Sequence, residues 1–82
     1  MKIVWDETKR QTNQTKHGLD FADLDVDFFM NATIYPAKEG RTLALGEFRG
    51  EIILAVIFAP LGSEAISIIS MRHASRKERR LL

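Results

Sequence analysis

The chain has no cysteine among its 82 residues. That excludes disulfides, thiolate metal sites and a thiol nucleophile, and it fits a reducing cytosol. Proline occurs twice and glycine five times, too few for a collagen-like or low-complexity chain. The sequence contains neither a glycine-rich phosphate loop nor the nucleophile-elbow motif. Its longest apolar run, Ile52 to Pro60, falls far short of the roughly 20 residues a membrane helix needs. The start, Met1-Lys2-Ile3-Val4-Trp5-Asp6, lacks the layout of a secretory signal. A cytoplasmic protein without membrane contact is the expectation.

What is present is ordinary in amount and uneven in placement. Apolar residues make up 45% and charged residues 28%, as in globular domains. A single domain over residues 1–82 is expected. A domain of this length buries only about 60–65% of its unfolded surface, so the core is thin. Net charge is +1, but the acids crowd the first half. Asp20, Asp23, Asp25 and Asp27 stand together without a base, whereas Arg72, Arg76, Lys77, Arg79 and Arg80 share their stretch with Glu78 alone. Such asymmetry marks either a basic binding face or a solvated terminal helix.

The pattern predicts an α+β fold in the order β-α-α-β-β-β-β-α, with a small antiparallel sheet, two N-terminal helices and a C-terminal helix. Lys2 to Trp5 reads as a strand. Asp6 is an N-cap with Glu7 behind it, and Gly18 is a C-terminal stop after His17. The helix between them has no apolar residue from Thr8 to Lys16, so core packing does not explain it. A second helix is predicted from Asp20, with Phe21, Leu24 and Phe28 on one face. Its aspartates read as helix-dipole and solubility residues and imply no metal. Strands are predicted over Asn31–Tyr35, Arg41–Leu45, Ile52–Phe58 and Ala65–Met71. Reversals are predicted at Lys38–Gly40, Gly46–Gly50 and Pro60–Ser63. Strict alternation places Ile66, Ile68, Ser70 and Arg72 on one face of the last strand. Ser75 and Glu78 form a capping box that opens the final helix.

Arg72 thus lies where a strand meets a helix N-terminus, a place suited to a phosphate; an ion pair with Glu39, Glu78 or an aspartate is the alternative. His17 is a candidate general acid or base, or a residue answering the helix dipole. His17 and His73 are too far apart in sequence for a metal signature, and no cofactor is implied. Trp5, Tyr35 and Phe48 suit either base stacking or the core and its rim.

In order, "WDETKRQTNQTKHGLDF", "EGRTLALG" and "ISIISMRHASRKER" resemble the BrnT family of type II toxins. The resemblance runs through Trp5, Asp6, Lys9, Asn13, Lys16, His17, Gly18 and Phe21. It continues through Glu39, Arg41 and Gly46, then Ile69, Ser70, Arg72, Ala74, Glu78 and Arg79. It implies a RelE-like fold and a metal-independent endoribonuclease that inhibits translation and arrests growth. A BrnA-like ribbon-helix-helix antitoxin would be its partner, with operator DNA bound only through the complex. On that resemblance Lys16, His17, Arg41, Arg72 and Glu78 become catalytic candidates. Arg41 and Arg72 would stabilise the phosphorane, His17 with Lys16 would serve proton transfer and positioning, and Glu78 is a weaker candidate base. Lys9, Arg76, Lys77 and Arg79 become RNA contacts. The alternatives are a non-catalytic nucleic-acid-binding module and an inactive toxin acting as co-repressor. Family members often carry Arg where this chain has Pro60-Leu61 and Ser67, and an aromatic where it has Leu82.

Overall fold

Short polar side chains set most of the boundaries. Asp6 ends a strand, β1 (Lys2–Trp5), and its side chain accepts the Lys9 amide, starting a helix, α1 (Glu7–His17). Gly18 closes that helix in the left-handed region at φ 69°, where glycine is tolerated without strain. The computed structural model describes residues 1–50 and 52–82. After α1 come α2 (Val26–Asn31), β2 (Thr33–Pro36), β3 (Thr42–Phe48), β4 (Ile52–Leu61), β5 (Ala65–His73) and α3 (Arg76–Arg79). Short 3-10 turns occupy Phe21–Asp23 and Lys38–Gly40. No described helix is long and apolar enough to cross a membrane.

The fold is α+β, and its sheet is mixed rather than wholly antiparallel. The strand order is β1-β5-β4-β3-β2, and β1 pairs β5 in parallel. The helices carry the chain from β1 to the far edge. Three reversals then bring β5 back beside β1, pointing the same way. The pattern of short loops revealed the antiparallel meander but not the pairing of its last strand with the first.

One sheet face carries the main core. Phe21, Leu24, Phe28 and Phe29 pack against Leu54, Val56, Phe58, Ile68 and Met71. Phe29 meets Phe28 and Phe58 edge-on, with centroids 5.1 and 5.4 Å apart, a favourable aromatic geometry. On the other face, Leu45, Ala55 and Ala74 form a small second cluster beside Tyr35, Leu43 and Ile53. The chain beyond β5 lies over it: the Ala74 amide donates to the Ile53 carbonyl at 2.9 Å, and the Tyr35 hydroxyl to the Leu81 carbonyl at 3.1 Å.

Three local expectations change. The helix predicted from Asp20 is two pieces, because two aspartates cap. Asp20 accepts from Ala22 and begins the 3-10 turn, and Asp25 accepts from Phe28 and begins α2. Gly46 and Pro60 lie inside strands rather than in reversals. Pro60 is tolerated because β3 begins at Thr42, opposite Phe58, which leaves one side of Pro60 without a neighbour needing its missing donor. Last, β5 bulges. Ile57 faces Ser70 and Phe58 faces Ile68, so Ile69 is the extra residue. The bulge inverts the alternation: Met71 joins Ile66 and Ile68 on the core face, and Ser70 and Arg72 turn to the opposite one.

Gly46 is buried, and a Cβ there would stand 3.2 Å from the Ala32 Cβ and 3.3 Å from the Ala32 Cα and Phe28 Cε1. Backbone cannot yield as a flexible side chain does. Gly46→Val should therefore lower unfolding stability by about 1–3 kcal/mol, read from urea midpoints. An unshifted midpoint would show that the α2–β3 packing is looser than described.

Candidate functional site

Parallel pairing with β1 ends at Trp5 and Ile68, so the outer edge of β5 is free of a strand from Ile69 onward. Helix α1 lies along that stretch. Its polarity all round is explained by how it is fastened. Arg10 grips the Asp20 carboxylate through Nε and Nη2 at 2.7 and 3.0 Å and also bonds Glu7. Asn13, one turn further, is the helix's one buried residue. Its carboxamide bonds both backbone groups of Met71 and the Leu19 carbonyl.

Between this helix and the bulged strand opens a cavity of about 290 Å³. Thr8, Lys9, Thr12, Asn13, Lys16 and His17 line it from α1, and Ile69 and Ser70 from β5. Three candidates that the family resemblance named, Lys9, Lys16 and His17, therefore share one cavity. Two ammonium groups, an imidazole and several hydroxyls suit a phosphate and a ribose better than an apolar ligand.

Arg72 stands two residues beyond Ser70 on the same sheet face. Its guanidinium is met end-on by Glu78, with Nη1–Oε1 at 2.6 Å and Nη2–Oε2 at 2.9 Å. Glu78 Oε1 also accepts the Ser75 amide at 2.9 Å, and Ser75 Oγ accepts the Glu78 amide at 3.1 Å, completing the capping box. The Arg72 hydrogen bonds, helped by those from Ser75 and opposed by partial burial, hold the Glu78 carboxyl at about 2. The same pairing raises Arg72. Glu78 is thus ionised at neutral pH and a weak proton acceptor, while Arg72 keeps its remaining N–H donors for another anion.

The other candidates lie apart. Arg41 is exposed just before β3 and, by alternation with Leu43 and Leu45, faces the same side as Arg72. Leu45, Ala55 and Arg72 form one row across the sheet. Arg41 is four residues off that row and two strands over, about 13 Å along and about 10 Å across. Arg76, Lys77 and Arg79 are exposed on α3. Trp5 packs edge-on against Phe21 at 6.5 Å, and Arg49 lies 4.8 Å over Phe48, so neither ring is a bare stacking platform. Among the described residues, no group of three His, Asp or Glu is placed to hold a metal.

A family described as "Ribonuclease toxin, BrnT, of type II toxin-antitoxin system" matches residues 5–78. The chain belongs to the BrnT family. A crystal structure at 1.1 Å of the Brucella abortus ribonuclease toxin BrnT is 64% identical to it. That structure matches with a TM-score of 0.88, covering 93% of this chain and 99% of that one. No curated protein matches the sequence. Within this BrnT fold, two cavity residues carry more than the sequence assigned them. Ser70 belonged to a motif without a role, and the bulge hid its facing. Asn13 was visible as a residue of the family pattern without a role, on a helix that core packing does not explain.

The Arg72–Glu78 pair makes the stability of this chain acid-sensitive. Glu78's folded value, about 2, lies below its ordinary 4.5. Its contribution is therefore fully present above 4.5 and is lost as pH falls toward 2. About a third of the Arg72 side chain is exposed, so solvent screening limits the contribution to about 1 kcal/mol. Glu78→Gln should lose that much at pH 7 and converge on wild type near pH 2, in urea titrations across pH. A constant difference at every pH would assign the loss to the cap alone.

Proposed function

We propose that this chain is a RelE-like, metal-independent endoribonuclease toxin that acts on cytoplasmic RNA, inhibits translation and arrests growth. The observation that carries the reading is the convergence of Lys9, Lys16, His17 and Ser70 on one cavity, with Arg72 two residues away on the same sheet face. Membership of a ribonuclease toxin family supports the activity in general.

Cleavage without a metal requires the neighbouring 2′-oxygen to attack phosphorus. The 2′-O–P bond forms as the P–5′-O bond breaks. A base takes the 2′ proton, and an acid returns one to the leaving 5′-oxygen. Products are a 2′,3′-cyclic phosphate and a 5′-hydroxyl. In the proposed site His17 transfers protons, and Lys16 and Lys9 draw the phosphate into the cavity. Arg72 stabilises the charge that grows on the phosphorane oxygens. Glu78 orients Arg72 rather than taking a proton. Arg41, being distant, holds a flanking phosphate, and Arg76, Lys77 and Arg79 extend the attraction along the strand. Cations in these places supply the charge that a metal would otherwise bring.

The partner in this reading is a BrnA-like ribbon-helix-helix antitoxin, and the complex, not the toxin alone, contacts operator DNA. Co-expression with a BrnA-like ribbon-helix-helix protein, followed by pull-down, should recover a complex; a toxin that stays free would remove this part of the reading.

Purified protein should cleave RNA in excess EDTA and leave cyclic-phosphate ends. Arg72→Ala and His17→Ala should each slow kcat at least about tenfold, within the usual worth of one electrostatic or acid–base group. RNA binding without cleavage by the wild type would favour the non-catalytic module instead.

A further inference from the structure

Asn13 is 6% exposed, the one polar residue buried among those described. Its Nδ2 donates to the Met71 carbonyl at 2.8 Å and to the Leu19 carbonyl at 3.2 Å, and its Oδ1 accepts the Met71 amide at 3.1 Å. Both amide protons are used, and the oxygen is engaged by β5. The group therefore touches the cavity wall without a donor to offer a substrate. It occupies the place a strand would hold on the edge of β5, immediately after the bulge that turns Ser70 toward the cavity.

From this arrangement we infer that Asn13 is a positioning residue for the reaction, setting the distance between the α1 groups Lys16 and His17 and the β5 groups Ser70 and Arg72. Lys16 and His17 follow Asn13 by three and four residues, so they lie one turn away on the same side of the helix. Arg10 fixes the other end of α1 to Asp20, but among the described residues the hydrogen bonds from α1 to the strand that carries Ser70 and Arg72 are those of Asn13. No apolar side chain of α1 contributes a competing anchor. A shift of α1 along β5 would move the imidazole relative to the guanidinium while leaving the aromatic core intact. The inference rests on the ribonuclease reading of the cavity.

Two substitutions separate position from mere cohesion. Asn13→Gln keeps both hydrogen-bonding groups but holds α1 one methylene further from β5. It should remain folded by circular dichroism, with kcat on a short RNA lowered at least about tenfold and KM within about threefold, as expected for a misplacement near 1 Å. Asn13→Asp keeps the acceptor for the Met71 amide but presents a carboxylate to two carbonyls. Burial against the Met71 and Leu19 carbonyls raises such a carboxyl's pKa and outweighs Lys9, Lys16 and His17 along the cavity, which lower it, and protonation restores one donor. Its kcat relative to wild type should therefore rise as pH is lowered from about 8 to about 5. Folded Asn13→Gln with kcat within twofold of wild type overturns the inference, as does an Asn13→Asp ratio independent of pH.

If the wild type itself cleaves no RNA, the ribonuclease reading fails and the placement is decided by NMR. The His17 ring and Ser70 resonances should then move in Asn13→Gln. Unmoved resonances overturn the inference on their own.

Discussion

Strand β5 loses its parallel partner after Ile68, yet its own edge continues to His73. Unpaired edges are exposed hydrogen-bonding rows that proteins cover in various ways. Here the carboxamide of Asn13 takes the next place on the edge, giving Met71 a donor and an acceptor as a neighbouring strand would. An amide–amide pair suits this job, because removing either half would leave a buried group unsatisfied at a cost of about 1–3 kcal/mol. The consequence extends to the whole helix. Most surface helices give three or four residues in every two turns to an apolar stripe. Anchored chiefly by Asn13 and Arg10, with Glu7 accepting from the Trp5 indole, α1 keeps the rest of its surface for lysines, hydroxyls and His17.

A second fixed point lies at the strand's end. Glu78 closes a helix cap and grips Arg72 at the same time, so one carboxylate restrains both the guanidinium and the start of α3. An exposed arginine samples many rotamers and loses that freedom on meeting a phosphate. Arg72 has surrendered much of it in advance. The pair also separates two acid–base candidates. Glu78, held near 2 by its partner, is matched to orientation, and in the proposed reaction proton transfer is left to the imidazole.

The sequence disclosed the parts of this design that depend on local chemistry. Asp6, Gly18 and the Ser75–Glu78 box are recognisable caps, and Ile52 to Phe58 reads as a central strand. Lys9, Lys16 and His17 were visible candidates on one polar helix. Hidden were the features decided by strand pairing. A single extra residue at Ile69 reverses the facing of Ser70, Met71 and Arg72, and no residue type there announces a bulge. The split of the second helix was equally obscure, because Asp20 and Asp25 are both competent caps and only packing decides that both act. The parallel β1–β5 pair joins distant segments, so no local pattern marks it.

The departures from the family pattern acquire a location. Pro60 and Leu61 lie opposite Ile66 and Ala65, beside the β4–β5 turn, and Ser67 lies opposite Ala59. The cavity residues Ile69 and Ser70 come after the bulge, and Arg72 is further still, toward the other end of β5. Ser67 pairs Ala59 before the bulge and Ser70 pairs Ile57 after it, so both turn to the face that Arg72 occupies. Arginines at these positions would lengthen a basic track along that face, away from the cavity between α1 and β5. Their replacement by apolar and small residues shortens the track without removing a group from the cavity. Under the proposed ribonuclease reading, the loss bears on how many flanking phosphates the chain would hold, and it leaves the proposed cavity groups of α1 and the end of β5 in place.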